Sequence, residues 1–117
     1  MAGNVVAIPV LIPNGQSLSA AINVGGSALV GLQMPAAAWD AAGITFVVSA
    51  DGGSNFLPLC DKAGTEVALT VTFGKFIALD TATFGGILLV KVRSGTSATP
   101  VNQTADRTLQ LVTREEF

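Results

Sequence analysis

The groups best suited to chemistry in this chain are four aspartates, Asp40, Asp51, Asp61 and Asp80, one thiol, Cys60, and the serines Ser49, Ser94 and Ser97. Two carboxylates flanking a glycosidic bond are the apparatus of glycoside hydrolysis. The run Asp51-Gly-Gly-Ser-Asn55 offers oxygen ligands at the close spacing a calcium ion takes. Local context argues against both. Each aspartate stands beside a turn, where a carboxylate is favoured because it accepts bonds from nearby backbone N–H groups. The Asp51 run lacks the EF-hand pattern and its terminal bidentate glutamate, so it is read as a hairpin turn. The serines have no histidine base anywhere in the chain and no lysine at a spacing that suggests a serine–lysine pair. The glycines form neither a Walker loop nor a dinucleotide fingerprint. With no histidine and a single cysteine there is no zinc or iron ligand set and no internal disulfide. Cys60 is read as a small core or strand residue. No cofactor and no metal are expected, and the chain is not read as an enzyme.

The elements that would position these groups are short strands. Apolar residues alternate, and turn signals recur about every 8 to 12 residues, the pattern of a sandwich or barrel. Val6, Ile8 and Val10 alternate, and Pro9 among them marks an edge strand because proline cannot donate to a ladder. Leu18, Ala20 and Ile22 alternate after the Asn14-Gly15 turn, and Ser27 to Met34 forms a strand that Pro35 stops. Ile44, Phe46 and Val48 form one face of the next strand, with Asn55 to Leu59 returning antiparallel. Asp61 to Gly64 reads as a tight turn, followed by strands at Glu66 to Thr72 and Phe76 to Leu79. Leu88, Val90 and Val92 face one way while Lys91 and Arg93 face the other. Gly95 to Asp106 reads as a long loop, and Arg107 to Thr113 as a last strand with Leu109 and Leu111 inward. Residues 35 to 42 and 80 to 84 predict short helical turns. Trp39, the sole tryptophan, is assigned to the core. The class expected is all-β, in one domain over residues 1–117.

Composition bounds the function. Half of the residues are apolar and only 12% are charged, against about 25% in an ordinary soluble domain. A domain of this size buries only about two thirds of its unfolded surface, so some apolar area is expected to remain outside the core. No apolar run is long enough for a membrane span, and the six basic residues are scattered singly, unlike a phosphate-binding stripe. Neither a membrane nor direct nucleic-acid binding is expected. The start of the chain lacks the basic residues and cleavage site of a secretory signal, which predicts synthesis in the cytoplasm. The surface that remains is one for proteins. Residues 1–13 carry Val5, Val6, Ile8, Val10, Leu11 and Ile12, costly to leave in water. They either complete the home sheet or extend as an arm to a neighbour's edge. Arg114 and Phe117 at the other terminus join them as candidate interface residues.

Gly31-Leu-Gln-Met-Pro35, Trp39, Ile44 to Gly52, Phe76 to Asp80, Phe84, Val92 to Thr96, Asn102-Gln103 and Arg107-Thr-Leu109 occur in an order that resembles the capsid cement, or decoration, proteins of tailed bacteriophages. The resemblance covers nearly the whole chain, but its motifs are mainly turns and core strands. It implies a jelly-roll-like antiparallel β-sandwich with one or two short helical turns. It further implies a virion protein on the outside of the phage head, made in the host cytoplasm, which binds as an oligomer and bridges subunits of the major capsid protein. A homodimer or homotrimer would present the arm and one sheet edge, so deletion of residues 1–12 is expected to end binding and spare the fold. Two alternatives stay open: a glycan-binding or tail-associated module, since the Ser-Ala-Asp-Gly turn also resembles discoidin-like sandwiches, and a head-completion or tail-tube subunit.

Overall fold

The computed structural model describes residues 4–25 and 27–115. Its strands are β1 (Val5–Ile12), β2 (Ile22–Asn23), β3 (Ser27–Gln33), β4 (Ile44–Ser49), β5 (Leu57–Pro58), β6 (Phe76–Ala78), β7 (Leu89–Ser94) and β8 (Arg107–Glu115), with one short helix, α1 (Thr81–Phe84). They form two antiparallel four-stranded sheets, ordered β1-β8-β3-β6 and β2-β7-β4-β5. Within these sheets every strand pairs with the one whose number brings the sum to nine: β1 with β8, β2 with β7, β3 with β6, β4 with β5. The chain is a long hairpin, closed at β4–β5, whose successive pairs alternate between the sheets. That is the topology of a jelly roll.

Period-two patterning places the core. Val10 and Ile12 of β1, Leu109 and Leu111 of β8, and Leu29 and Leu32 of β3 face Ile44 and Phe46 of β4 and Val90 and Val92 of β7, all buried. A register shift between Leu29 and Gly31 keeps both leucines of β3 inward despite their odd spacing. Burial contributes about 1.5–3 kcal/mol for each such side chain. α1 is capped by Asp80, whose carboxylate accepts from Ala82 N at 2.9 Å. It delivers Phe84 edge-on to Phe46, with ring centroids 5.3 Å apart.

Several local expectations need correction. Only Ile22–Asn23 of the second segment is strand. Upstream, the Ser19 hydroxyl oxygen accepts from Val92 N at 2.9 Å, so a side chain interrupts the backbone ladder. Residues 35–42 form no helical turn, because the N–H of Asp40 is bound by the Gln103 side chain, 2.9 Å away. Residues 66–72 are no strand either. They cross from β5 in one sheet to β6 in the other, touching the ladders through the bridges Cys60↔Glu66 and Ile44↔Leu69, while Val67, Leu69 and Val71 pack partly buried against the core. Leu88 precedes β7 and is exposed, and Cys60 is also exposed.

Candidate interaction face

Registers fix what the outer side of the first sheet presents. Four rows cross it: Leu11–Thr108; Pro9–Gln110–Gln33–Phe76; Ala7–Val112–Gly31–Ala78; and Val5–Arg114–Ala28. These positions alternate with the core residues of the same strands, so their side chains stand on the face away from the core. Arg114 is the sole charged member. Val5 is 65% exposed, Leu11 45% and Phe76 57%. Gly31 has a steric reason to be glycine, because a Cβ there would lie 2.3 Å from Cζ of Phe76, whose ring lies over the strand. Ala28 and Gly31 are buried; the other row positions make a nearly uncharged platform of Val, Leu, Ala, Pro, Thr, Gln, one arginine and one flat phenyl ring.

The second sheet's outer side is finished by the chain itself. Thr45, Val47 and Ser49 of β4 face outward yet are buried. Arg93 on β7 donates from Nε to Thr45 Oγ1 at 2.9 Å and pairs with Glu66 at 2.6 Å. Glu66 in turn accepts from the Ser97 hydroxyl, and Thr45 Oγ1 donates to Gly95 O at 2.7 Å. The Lys91 ammonium sits 4.4 Å over the Phe56 ring, an arrangement that satisfies a charge without a carboxylate.

At the end of the sandwich Gln103 is fully buried. Its Oε1 accepts from Asp40 N and from Arg107 Nε, and its Nε2 donates to Ser94 Oγ at 2.7 Å and to Asp40 O. Asp40 closes the ring through Arg107 at 2.6 Å and Thr104 at 3.0 Å. The Arg107 hydrogen bond, then that of Thr104, holds the Asp40 carboxyl below its ordinary range. These bonds pin the loop 95–106 to the loop 35–43.

The four aspartates are occupied locally. Asp51 accepts from Asn55 Nδ2, the Ser49 hydroxyl and Asn55 N, and those bonds, the Asn55 amide first, lower its pKa to about 2. Asp61 accepts from Ala63 N and Thr65 N, and Asp80 caps α1. Among the described residues no cluster of three or more His, Cys, Asp or Glu is placed to hold a metal. Trp39 is half-buried against the core and donates its indole N–H to Ala42 O at 3.0 Å, so it is not a free stacking platform.

Of the interface residues expected from the sequence, Val5, Val6, Leu11 and Arg114 are exposed, and Ile8 is partly buried against the core. Val10, at 2% exposure, and Ile12, at 0%, are corrected to core residues. Phe117 lies outside the described residues. Residues 5–12 do not extend from the domain as an arm, since they pair along their whole length with β8. Gln33, Phe76, Ala78, Gln110 and Val112 join the face only through cross-strand register, which one-dimensional reading cannot supply. Comparison with protein-family models, with curated proteins and with solved structures found no match.

Proposed function

We propose that the chain is a structural, non-catalytic assembly subunit, a capsid cement protein that seats the outer face of its first sheet on the outside of a phage head and bridges neighbouring major-capsid subunits. The observation that carries this reading is the nearly uncharged platform on one side of a sandwich whose other side is closed by its own loops. Burying such a platform against protein incurs little of the desolvation cost that isolated charges bring. Binding only to the assembled lattice stabilises that state by mass action, and weak contacts repeated by symmetry suffice.

Deletion of residues 1–12 cannot test the reading, because it would remove Val10 and Ile12 from the core. The sharper test adds charge to the platform. The double variant Ala78→Glu/Thr108→Glu is mixed with assembled, undecorated heads built from the capsid protein encoded with the chain, then sedimented and imaged. The wild type should coat the lattice in many copies; the variant should stay in the supernatant with an unchanged melting temperature. A few copies at one vertex, or on a fibre, would instead identify a head-completion or tail-associated subunit.

A further inference from the structure

We propose that the open edge of β1 pairs with β1 of a second copy about a two-fold axis at Ile8, joining the two first sheets into one. This inference stands on the edge itself and does not depend on the capsid reading.

The hydrogen-bond phase of β1 is fixed by one contact. Glu115 N donates to Asn4 O at 3.0 Å, in register with Val5↔Arg114. In an antiparallel pair, residues that exchange bonds alternate with residues that do not. Even-numbered residues of β1 therefore turn their backbone groups toward β8, and Val5, Ala7, Pro9 and Leu11 turn theirs away. β1 is terminal in its sheet, so among the described residues these groups meet no further strand. Pro9 falls in the outward set, where its missing N–H costs the home ladder nothing.

Exposed edges are ordinarily blunted by charge, especially lysine. β1 carries none, and no charged side chain occurs before Asp40. Charge matters doubly at a two-fold axis, where any ion near the axis meets its own copy. A neutral edge is what self-pairing needs.

The self-complementary register that spans the strand places Val5 opposite Leu11 of the second copy, Ala7 opposite Pro9, and Ile8 opposite Ile8. The N–H groups of Val5, Ala7 and Leu11 then reach the carbonyls of Leu11, Pro9 and Val5 of the second copy. No donor on the edge is left over, and the proline serves as acceptor alone. On the outer face the pairing joins Val5 to Leu11. On the inner side it sets Val6, 48% exposed although it points toward the core side, against Val10 of the second copy. Three of the large exposed apolar residues, Val5, Val6 and Leu11, are thereby covered by one symmetric contact, a cross-strand arrangement of the stabilising kind.

The full chain is run through size exclusion with light scattering over a dilution series. A mass of two chains is expected, falling toward one on dilution. Ala7→Pro removes an outward N–H, leaves every bond to β8 in place, and should give a monomer with unchanged circular dichroism. In a Cys60→Ser background, Val5→Cys/Leu11→Cys should form a covalent dimer on oxidation, because opposed residues in such a pair lie about 5.5 Å apart, within disulfide reach. Either cysteine alone should not cross-link, since each then faces a residue other than itself. Should Ala7→Pro fail to fold, the cross-links decide. A wild type that is monomeric throughout, a dimer that survives Ala7→Pro, or a double-cysteine variant that stays monomeric under oxidation overturns the proposal.

Discussion

The two outer faces of this sandwich are each built on four strands and end in opposite conditions. On the second sheet Thr45, Val47 and Ser49 point away from the core and are buried all the same; Arg93, Glu66 and Ser97 are drawn over Thr45 in a bonded chain, and the Asp51–Gly53 turn bonds Ser49. On the first sheet no such bonded chain of side chains crosses the row positions among the described residues, and apart from Arg114 the strands there carry small, apolar or uncharged polar residues where charge would ordinarily keep a surface wet. The difference shows how a chain with so little charge spends it. Lys91, Arg93 and Glu66 close one face from within, while the row positions opposite hold a single arginine.

That contrast can be broken by substitution. The largest effect is expected at the hinge between the faces. Gln103→Leu strips partners from buried Ser94 and from Asp40 and Arg107, and should cost about 3 kcal/mol or more, read as a lowered urea midpoint. A matched pair comes next. Thr45→Val and Thr108→Val make the same chemical change on the two faces. The first leaves Gly95 O and the Arg93 guanidinium short of a partner and should cost about 1–3 kcal/mol; the second should stay within about 0.5 kcal/mol. Equal losses would sink the comparison.

Acid should act through the turn beside the second sheet, in addition to Asp40, whose carboxyl is likewise held below its ordinary range. Asp51 titrates at about 2 in the folded chain against an ordinary 3.8. Because the folded value is depressed, its stabilisation is complete above the unfolded pKa and disappears as pH falls through about 2. Denaturant midpoints measured down through that window should drop, and Asp51→Asn should flatten the drop. The smallest effect belongs to Cys60. Its exposed thiol should react with a disulfide reagent in the native state, and Cys60→Ser should leave stability within about 0.5 kcal/mol.

The strands themselves were largely legible. Alternation locates β1, β4, β7 and β8, the flanking Gly25-Gly26 and Pro35 bound β3, and Pro9 marks β1 as an edge. What was hidden depends on distant partners. The alternation of Val67, Leu69 and Val71 does report their packing against the core, yet it cannot show that the segment crosses between sheets without joining a ladder. Gln103 lies in a polar run that reads as an ordinary loop, and only the convergence of Asp40, Ser94 and Arg107 makes it a buried hub. The platform is the extreme case. Gln33 and Gln110 become neighbours through register alone, and six of the eight expected interface residues, Val5 to Ile12, rest on apolarity, a property that core and surface strands here share.

The rule that paired strands sum to nine has a consequence for how the molecule is made. Pairs nest, β4 with β5 innermost and β1 with β8 outermost, so each closure brings together ends already approached by the one before, at a small added loop entropy. β1 leaves the ribosome first and finds its partner last. At about 5–20 residues per second, Val10 and Ile12 wait seconds in water until residues 107–115 emerge, and refolding should fall in the slow range of about milliseconds to seconds set by distant pairings. Pulse-labelled hydrogen exchange should protect β4 before β1; simultaneous protection would refute this inside-out order. A nascent chain would thus expose its neutral, pairing-competent first strand longest, at the stage when other copies are closest on a shared message.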